Sequence, residues 1–460
     1  MTSKRVLVFE TTPCTPHVET GLEILYRCAR MGDEVTYAPL FLHQPIWEAH
    51  IFSGGEIRNF IKRVLGGHVV ALAEQVGKVF TPTPSTQPCE PLPDDFSKYT
   101  LFDEQWPIGM SMYSTLSTLL RSHDPKPMDP QVLPITKLLY LVAQRVFLYA
   151  RQAIREAKPD VVYLFNGRLI TTAACRWACE AEGVKWLIHE RASHMSRFQI
   201  FNEMTQGIDV WRKWVEDFCA GTDPEVIRLL GSRFFEDRIS GNPSNYTSFT
   251  GLQQGGWLPP RLRDKPYMAY FVSSEDEIAY ISLEQTTETK FGSQRQAFET
   301  LKSQCQELGV LLVVRVHPHL RVKALEETKY WNSQAGPGVE ILGPRDETCT
   351  YALARQAAGV VTYMSTVGME ALYLGKPVML LGRGSYSGMN GFVVPQSVTE
   401  MRHFLQEPPL PADRSSAFQW GYFQGNFGVT YQYYEAEELF KGRFLGRYLF
   451  EEEEVSQAVV

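Results

Sequence analysis

The sequence has few cysteines, no paired cysteine motif and no excess of basic charge. Its 460 residues include eight cysteines, and none of them forms a Cys-x-x-Cys pair. Scattered thiols in a chain of this length indicate a reducing compartment, and they argue against a disulfide framework or a zinc site. The formal net charge is -7 and the sequence has no basic stripe of the kind that binds a nucleic-acid backbone, so we expect no nucleic-acid partner.

Long apolar runs are also missing. No stretch reaches the ~18 consecutive apolar residues that a membrane span needs, and residues 1–8 do not have the apolar character of a secretory signal. We therefore expect a cytoplasmic protein, with peripheral association at the inner face of a membrane left open. The acidic run at residues 451–454 is predicted to be a solvated tail.

The first part of the chain has the pattern of a doubly wound α/β lobe. An apolar run at residues 5–9 predicts a buried strand, and a helix over 18–31 and a second strand follow it. Further strands, predicted at 160–165 and 184–188, alternate with helices, as is typical of a parallel sheet. Ten prolines between residues 80 and 135 argue against long regular elements there, and we interpret this stretch as an insertion.

A second α/β series begins at residue 266, after a cluster of glycine and proline at 251–260 that we interpret as a linker. The predicted architecture is two Rossmann-like lobes with parallel sheets that face a cleft. The predicted boundaries are 1–262 for the first lobe with its insertion, 263–400 for the second lobe, and 401–460 for a helical return with the acidic tail.

Polar residues follow several predicted strands of the second lobe, at the edge where parallel sheets bind ligands. Ser365 and Thr366 precede a helix, where free N–H groups and the helix dipole favour an anion. Glu370, one turn into that helix, is placed to accept hydrogen bonds from ribose hydroxyls. Each feature alone also has a common structural interpretation, such as a helix cap, but their order within one lobe favours a nucleotide site.

A second group of candidates belongs to the same predicted edge. Arg315 and His317 end a strong apolar strand and could donate charge-assisted hydrogen bonds to the phosphate of the nucleotide. Pro318 stiffens the turn that follows them. The remaining candidates for the nucleotide site lie after other strands or in turns. They are Ser273, Ser274, Lys376 and Tyr386.

The segments 315–318 (RVHP), 363–371 (YMSTVGMEA), 374–378 (LGKPV) and 382–386 (GRGSY) resemble the capsule polysaccharide biosynthesis family. That family includes bacterial β-Kdo transferases with a GT-B-like fold. The same order occurs more loosely in teichoic-acid glycerophosphotransferases and UDP-GlcNAc 2-epimerases. The resemblance covers about residues 265–395, and the first lobe is similar only weakly. It implies that His317 and Pro318 contact the donor phosphate, and that Ser365, Thr366 and Glu370 hold the nucleotide.

The resemblance implies a glycosyltransferase that moves a sugar from a nucleotide-sugar donor to a hydroxyl of a glycan or glycolipid acceptor. A CMP-Kdo-type donor is preferred, and the reaction is expected to be inverting and metal-independent, with no cofactor besides the co-substrate. The sequence lacks an Asp-x-Asp pair in a suitable setting, and this agrees with the expected metal-independent reaction. Two alternatives remain open: a glycerophosphotransferase or hydrolysing UDP-GlcNAc 2-epimerase-like enzyme, and a two-lobed sugar-binding module without catalysis.

An inverting transferase needs one general base on the acceptor side, and strand ends of the first lobe are where we expect it. Glu190 is the first candidate and His17, in the loop after the first strand, is the second. A salt bridge from Glu190 to a neighbouring arginine is the structural alternative. Asn166 and Arg168 follow another strand and could bind acceptor hydroxyls or a carboxylate.

Overall fold

The computed structural model describes residues 3–47, 54–94, 108–122, 124–205, 208–241, 253–274, 289–318, 325–411, 413–438 and 440–449. The chain divides into two compact units. Unit 1 comprises residues 1–119, 124–205 and 428–460, and unit 2 comprises residues 120–123 and 206–427. Each unit has its own largely parallel sheet.

The described strands are β1 (Arg5–Glu10), β2 (Glu34–Pro39), β3 (Lys78–Val79), β4 (Val161–Phe165), β5 (Trp186–Arg191), β6 (Arg197–Phe201), β7 (Met268–Phe271), β8 (Leu312–Arg315), β9 (Val339–Leu342), β10 (Gly359–Thr362), β11 (Val378–Leu380), β12 (Val429–Thr430), β13 (Tyr434–Glu438) and β14 (Lys441–Phe444). The described helices are α1 (His17–Arg30), α2 (Gly55–Glu74), α3 (Ile108–Leu120), α4 (Leu133–Ala157), α5 (Ile170–Ala181), α6 (Ile208–Cys219), α7 (Pro224–Ser240), α8 (Pro260–Arg263), α9 (Gln294–Leu308), α10 (Leu325–Ser333), α11 (Thr350–Gln356), α12 (Val367–Tyr373), α13 (Val398–Gln406) and α14 (Ser415–Asn426).

Both main sheets have the strand order of a doubly wound fold. In unit 1 the order is β12-β6-β5-β4-β1-β2-β3, with β1 to β5 parallel and β6 and β12 added as an antiparallel edge. In unit 2 the order is β11-β10-β7-β8-β9, and all five strands are parallel. The strand order reverses between β1 and β4 and between β7 and β10, which are the positions where such sheets bind ligands. The predicted α/β class with two Rossmann-like lobes is confirmed.

The central strands are continuous apolar runs because helices cover both faces of a parallel sheet. In β1, all residues from Val6 to Phe9 are buried, and all four residues of β8 and of β10 are buried as well. Apolar and polar residues do not alternate along these strands because both faces of the sheet are buried.

The proline-rich stretch contains more regular structure than predicted. Helix α3 begins directly after Pro107 and runs for 13 residues, so the prediction that long elements are absent from 80–135 was wrong. Proline breaks a helix interior but is tolerated just before or within the first turn. The stretch between Pro107 and Pro125 is free of proline and long enough for this helix.

The boundary between the units falls after Thr205, not at the predicted linker. Helices α6 and α7 belong to unit 2 because they pack against α14 in the same unit. A Cβ at Gly231 of α7 would lie 2.1 Å from the Phe418 carbonyl oxygen, so the two backbones touch where only a glycine fits. Trp211 of α6 packs on Trp420 of α14, with ring centroids 5.7 Å apart.

The C-terminal part is only partly the predicted helical return, because after α13 and α14 the chain forms strands that belong to unit 1. The buried carboxylate of Glu23 in α1 anchors this segment. It accepts hydrogen bonds from the backbone N–H groups of Gln432 (2.8 Å), Tyr433 (2.7 Å) and Tyr434 (3.2 Å), and from Arg27 Nε at 2.6 Å. The predicted acidic tail at 451–454 lies outside the described residues.

The eight cysteines are free thiols, and six of them are buried. Within the part of the chain that the structure describes, no helix is both long enough and apolar enough to cross a bilayer.

Candidate active site

The loops after β7 and β10 meet at the point where the strand order of unit 2 reverses. The hydroxyl of Ser273 accepts a hydrogen bond from Met364 N at 2.9 Å, and Ser273 N donates to Gln294 Oε1 at 2.7 Å. The hydroxyl of Thr362 donates to Phe271 O at 2.9 Å and accepts from Ser365 N at 3.1 Å. These bonds join the two loops into one rigid edge, and Ser274 follows directly, partly exposed.

Ser365 and Thr366 lie at the start of α12 as predicted, but only one of them caps it. Ser365 Oγ accepts a hydrogen bond from Val367 N at 3.4 Å. Thr366 is the N-cap residue, has helical backbone angles and makes no side-chain cap bond. Its side chain is exposed, while that of Ser365 is half-buried. Both hydroxyls therefore border the edge where a nucleotide is predicted.

Glu370 has a charged partner within unit 2. Its Oε1 accepts from Arg238 Nε at 3.1 Å and from Arg238 Nη2 at 2.7 Å, and both side chains are largely buried. Burial alone would lower the pKa of Arg238, but the charge of Glu370 and the hydrogen bonds to Glu370 and Tyr351 outweigh it and raise that pKa. A ribose that bonded to Glu370 would have to share the Glu370 carboxylate with Arg238. The sequence did not indicate this ion pair.

Arg315 performs a different task from the one predicted. Its side chain is buried, and it donates from Nη1 to Gly343 O at 2.8 Å and from Nη2 to Asp346 O at 2.9 Å. Burial lowers its pKa from the ordinary value. Arg315 thus holds the turn after β9, because a guanidinium reaches backbone carbonyls beyond its own strand. His317 and Pro318 follow β8 and remain partly exposed at the edge.

Two further candidates for the donor site, Lys376 and Tyr386, bond to backbone carbonyls of unit 2. Lys376 precedes β11, at the amino edge of the sheet, and its Nζ donates to Arg355 O at 2.8 Å. A residue before a parallel strand lies at the opposite end from the ligand edge, so this prediction was wrong. Tyr386 is 1% exposed, and its hydroxyl donates to Ser365 O at 2.5 Å. Tyr386 supports the loop that carries Ser365.

In unit 1, Glu190 and Asn166 are brought together at the carboxyl edge of β4 and β5. Asn166 has a φ of 60°, and its Nδ2 donates to Glu190 Oε1 at 2.7 Å. Asn166 Oδ1 accepts from Arg168 N at 3.0 Å, and Arg168 Nη1 donates to Ser114 Oγ at 2.7 Å. Glu190 lies inside β5 rather than after it, because the strand extends to Arg191 and pairs with the antiparallel β6.

Burial shifts the pKa of Glu190 towards neutral pH. Burial raises its pKa to about 7, against the opposing effects of the Asn166 hydrogen bond and the charges of Arg168 and Arg191. A base is most effective when its pKa lies near the working pH. The carboxyl group is therefore balanced between its two protonation states near neutral pH.

His17, the second candidate base, stacks on Phe165 with ring centroids 3.6 Å apart. Burial, together with the charge of Arg191, lowers its pKa well below the ordinary value. His189 on β5 is fully buried, and burial lowers its pKa to about 3. Both imidazoles are therefore neutral, which leaves His17 available as an acceptor but makes it a weak base.

Two acidic residues beneath this edge were missed in the sequence. Glu10 ends β1 and Glu19 lies in the first turn of α1, and both are buried. Burial raises the pKa of Glu10 to about 8 and that of Glu19 to about 7. Glu10 Oε1 accepts from Thr12 N at 3.1 Å, and Glu19 Oε1 accepts from Thr15 Oγ1 at 2.8 Å. The sequence did contain a signal for Glu10, because a charged residue that ends an apolar strand lies at the edge where parallel sheets bind ligands.

No group of three or more histidine, cysteine, aspartate and glutamate side chains is placed to hold a metal ion among the residues that the structure describes.

Part of unit 2 is similar in sequence to a known protein family. Residues 284–428 match the model of the family described as capsule polysaccharide biosynthesis protein, which confirms the resemblance that the motifs indicated. No curated protein matches the chain.

Several solved structures are similar to this chain at low sequence identity. The β-Kdo 2,4 transferase of Thermosulfurimonas dismutans KpsC is 15% identical, with 57% of this chain and 78% of that chain covered and a TM-score of 0.37. The β-Kdo 2,7 transferase of the same protein is 14% identical, with 68% and 88% covered and a TM-score of 0.35. The UDP-GlcNAc 2-epimerase of Methanocaldococcus jannaschii is 10% identical, with 90% and 97% covered and a TM-score of 0.31.

Proposed function

We propose that this protein, whose residues 284–428 match the capsule polysaccharide biosynthesis family, is a glycosyltransferase that transfers a sugar from a nucleotide-sugar donor to a glycan hydroxyl. Unit 2 binds the donor and unit 1 binds the acceptor. A donor of the CMP-Kdo type is our first choice, and transfer proceeds with inversion and without a metal ion.

The observation that carries this proposal is the joined edge of β7, β8 and β10. These strands are neighbours in the sheet, so the residues that follow them, Ser273, His317 and Ser365, belong to one edge at the reversal of strand order. Open α/β sheets bind nucleotides at this position. The internal bonds of the two loops hold the edge before a ligand arrives, and such preorganisation reduces the cost of binding.

Unit 1 supplies the proton acceptor in this proposal. As the acceptor oxygen attacks the anomeric carbon, its proton moves to Glu190, and the bond between the anomeric carbon and the nucleotide phosphate oxygen breaks. His317 and the hydroxyls of Ser365 and Thr366 stabilise the charge that develops on the leaving phosphate. Asn166 positions the Glu190 carboxylate through its 2.7 Å hydrogen bond.

Nucleotide binding is tested by a thermal-shift panel of CMP, UDP, GDP and CDP-glycerol. A ligand at 100 times its dissociation constant stabilises the native state by about 2.7 kcal/mol, so the cognate nucleotide should raise the melting temperature measurably. His317→Ala should abolish that shift. His403→Ala is the matched control, because His403 is an exposed histidine of α13 in the same unit. If no nucleotide of the panel shifts the wild-type protein, the proposed donor site is wrong.

Product analysis then separates the proposed activity from its alternatives. A transferase releases free nucleotide at a rate that depends on an acceptor glycan, and chelation with EDTA should leave that rate unchanged. Release of UDP without an acceptor would indicate a hydrolysing epimerase, and transfer from CDP-glycerol would indicate a glycerophosphotransferase. Tight sugar binding without turnover would indicate a binding module.

A further inference from the structure

Unit 2 contains a cavity of about 390 Å³ beside the carboxyl end of β11. We propose that it binds a sugar-sized ligand that carries an oxyanion, either a carboxylate or a phosphate ester. That the ligand is a sugar rests on the proposed function, whereas the requirement for an oxyanion rests on the cavity alone. The volume falls within the ~300–1,000 Å³ of ordinary small-molecule sites.

The charge of the lining points to an anionic ligand. Three cationic side chains line the cavity, those of Arg212, Lys290 and Arg383, and its described lining contains no aspartate or glutamate. This concentration of positive charge occurs in a chain with a net charge of -7. Cations gathered around a concave surface raise the local concentration of an anion and supply charge-assisted hydrogen bonds.

The walls of the cavity are held by bonds within unit 2. On one side, Ser387 Oγ accepts from Gly384 N at 2.7 Å, and Gly382 N donates to Tyr363 O at 2.9 Å. A Cβ at Gly382 would lie 2.7 Å from that same carbonyl oxygen, so only glycine allows the turn to approach this closely. On another side, the Tyr363 hydroxyl donates to Gly292 O at 2.7 Å and fixes the segment that carries Lys290.

Arg212 completes the cavity from helix α6. A Cβ at Gly388 would lie 3.6 Å from Arg212 Nη1, so the guanidinium covers the turn at this glycine. The ion pair of Arg212 with Glu216 spans 3.6 Å between exposed side chains. Pairs of this kind contribute little, and an oxyanion in the cavity can compete for the guanidinium.

The lining also explains why a ring-bearing ligand fits better than a free ion. Phe291, Leu380 and Val394 contribute apolar surface, while Thr289, Ser387 and Gln396 contribute hydrogen-bonding groups. Apolar walls with a few polar groups are the usual composition of a small-molecule site. The residues assigned to the nucleotide phosphate, His317, Ser365 and Thr366, do not line this cavity, so the proposed sugar contacts involve other side chains.

The test uses glucuronate, glucose 6-phosphate and neutral glucose as probes in ligand-observed NMR titrations at low salt. Glucuronate or glucose 6-phosphate should bind at least tenfold more tightly than glucose, and added salt should weaken the binding. Lys290→Gln and Arg212→Gln should each weaken the preferred anion about tenfold through loss of one charge-assisted contact. Lys329→Gln, an exposed lysine on α10 of the same unit, should leave it unchanged.

The two anionic probes assign the oxyanion. Tighter binding of glucuronate indicates a carboxylate-bearing sugar, and tighter binding of glucose 6-phosphate indicates a phosphorylated one. Equal binding of glucose, absence of binding by both anions, or an equal loss in Lys329→Gln would overturn the proposal.

The variant His317→Ala distinguishes this site from the donor site. It should remove the thermal shift by the nucleotide and leave the binding of the anionic sugar unchanged. Loss of both would place the sugar at the nucleotide site and refute a separate cavity. If no nucleotide binds while the anionic sugar does, the proposed function fails and the cavity assignment stands.

Discussion

Replacing the buried acid Glu10 by its neutral isostere should make the protein more stable at neutral and alkaline pH. In Glu10→Gln the amide oxygen can still accept the hydrogen bond from Thr12 N, which spans 3.1 Å in the wild type. The change removes a carboxyl group that is 0% exposed and lies close enough to Glu19 for that acid to raise its pKa further.

The magnitude follows from proton linkage. Burial raises the pKa of Glu10 from 4.5 to about 8, so the native state holds its proton over a pH range in which the unfolded state releases it. Stability from this group is fully present below pH 4.5 and is lost as the pH rises towards 8. At 1.36 kcal/mol per pKa unit, the loss between pH 5 and pH 8 amounts to about 3.5 kcal/mol. The glutamine side chain of the variant has no such proton to release.

The measurement is the free energy of unfolding in urea at several pH values between 5 and 8.5, for the wild type and for Glu10→Gln. The variant should gain on the wild type steadily as the pH rises. Glu34→Gln is the matched control, because the hydrogen bond and charge of Lys78 lower the pKa of this exposed acid below 4.5. Glu34 is then ionised in both the native and the unfolded state throughout this pH range, so its stability difference from the wild type should not change with pH. A stability difference between wild type and Glu10→Gln that does not change with pH would refute the burial argument.

Three further predictions follow from individual contacts. Glu190→Gln should lower the rate of sugar transfer by about 10²–10⁴-fold and remove the limb of the pH–rate profile that has an apparent pKa near 7; an unchanged profile would exclude Glu190 as the base. Glu23→Ala leaves three backbone N–H groups of residues 432–434 without their acceptor, so it should cost about 3–5 kcal/mol and accelerate amide exchange in that segment. Glu34→Ala should have no such effect on exchange. Lys376→Met should leave the nucleotide-induced thermal shift intact, since Lys376 lies at the amino edge, and loss of the shift would contradict that placement.

Much of the fold could be predicted because its signals are local. The apolar run at residues 5–9 predicted a buried strand, and it lies within β1 (Arg5–Glu10). Sequence order also indicated the positions of Ser365 and His317 after strands, because polar residues that follow an apolar run lie at a sheet edge. The match of residues 284–428 to a family model confirmed the resemblance carried by these motifs.

The partners of the polar side chains could not be predicted, because they come from distant parts of the chain. Arg315 bonds to carbonyls about 30 residues away, and Glu370 bonds to Arg238, 132 residues away. Strand patterns indicate which residues lie at the edge of a sheet, but only the packing of the chain decides which group each side chain bonds to.

The sequence by itself determined the two α/β series, the apolar strands and the ordered motifs of the second one. Only the tertiary structure decided that the C-terminal strands belong to unit 1, where Glu23 accepts their N–H groups. It also decided that Glu10 and Glu19 are buried acids rather than solvated ones. The physical reason is that burial and long-range hydrogen bonding depend on contacts between segments far apart in the chain, and such contacts leave no periodic trace in the sequence.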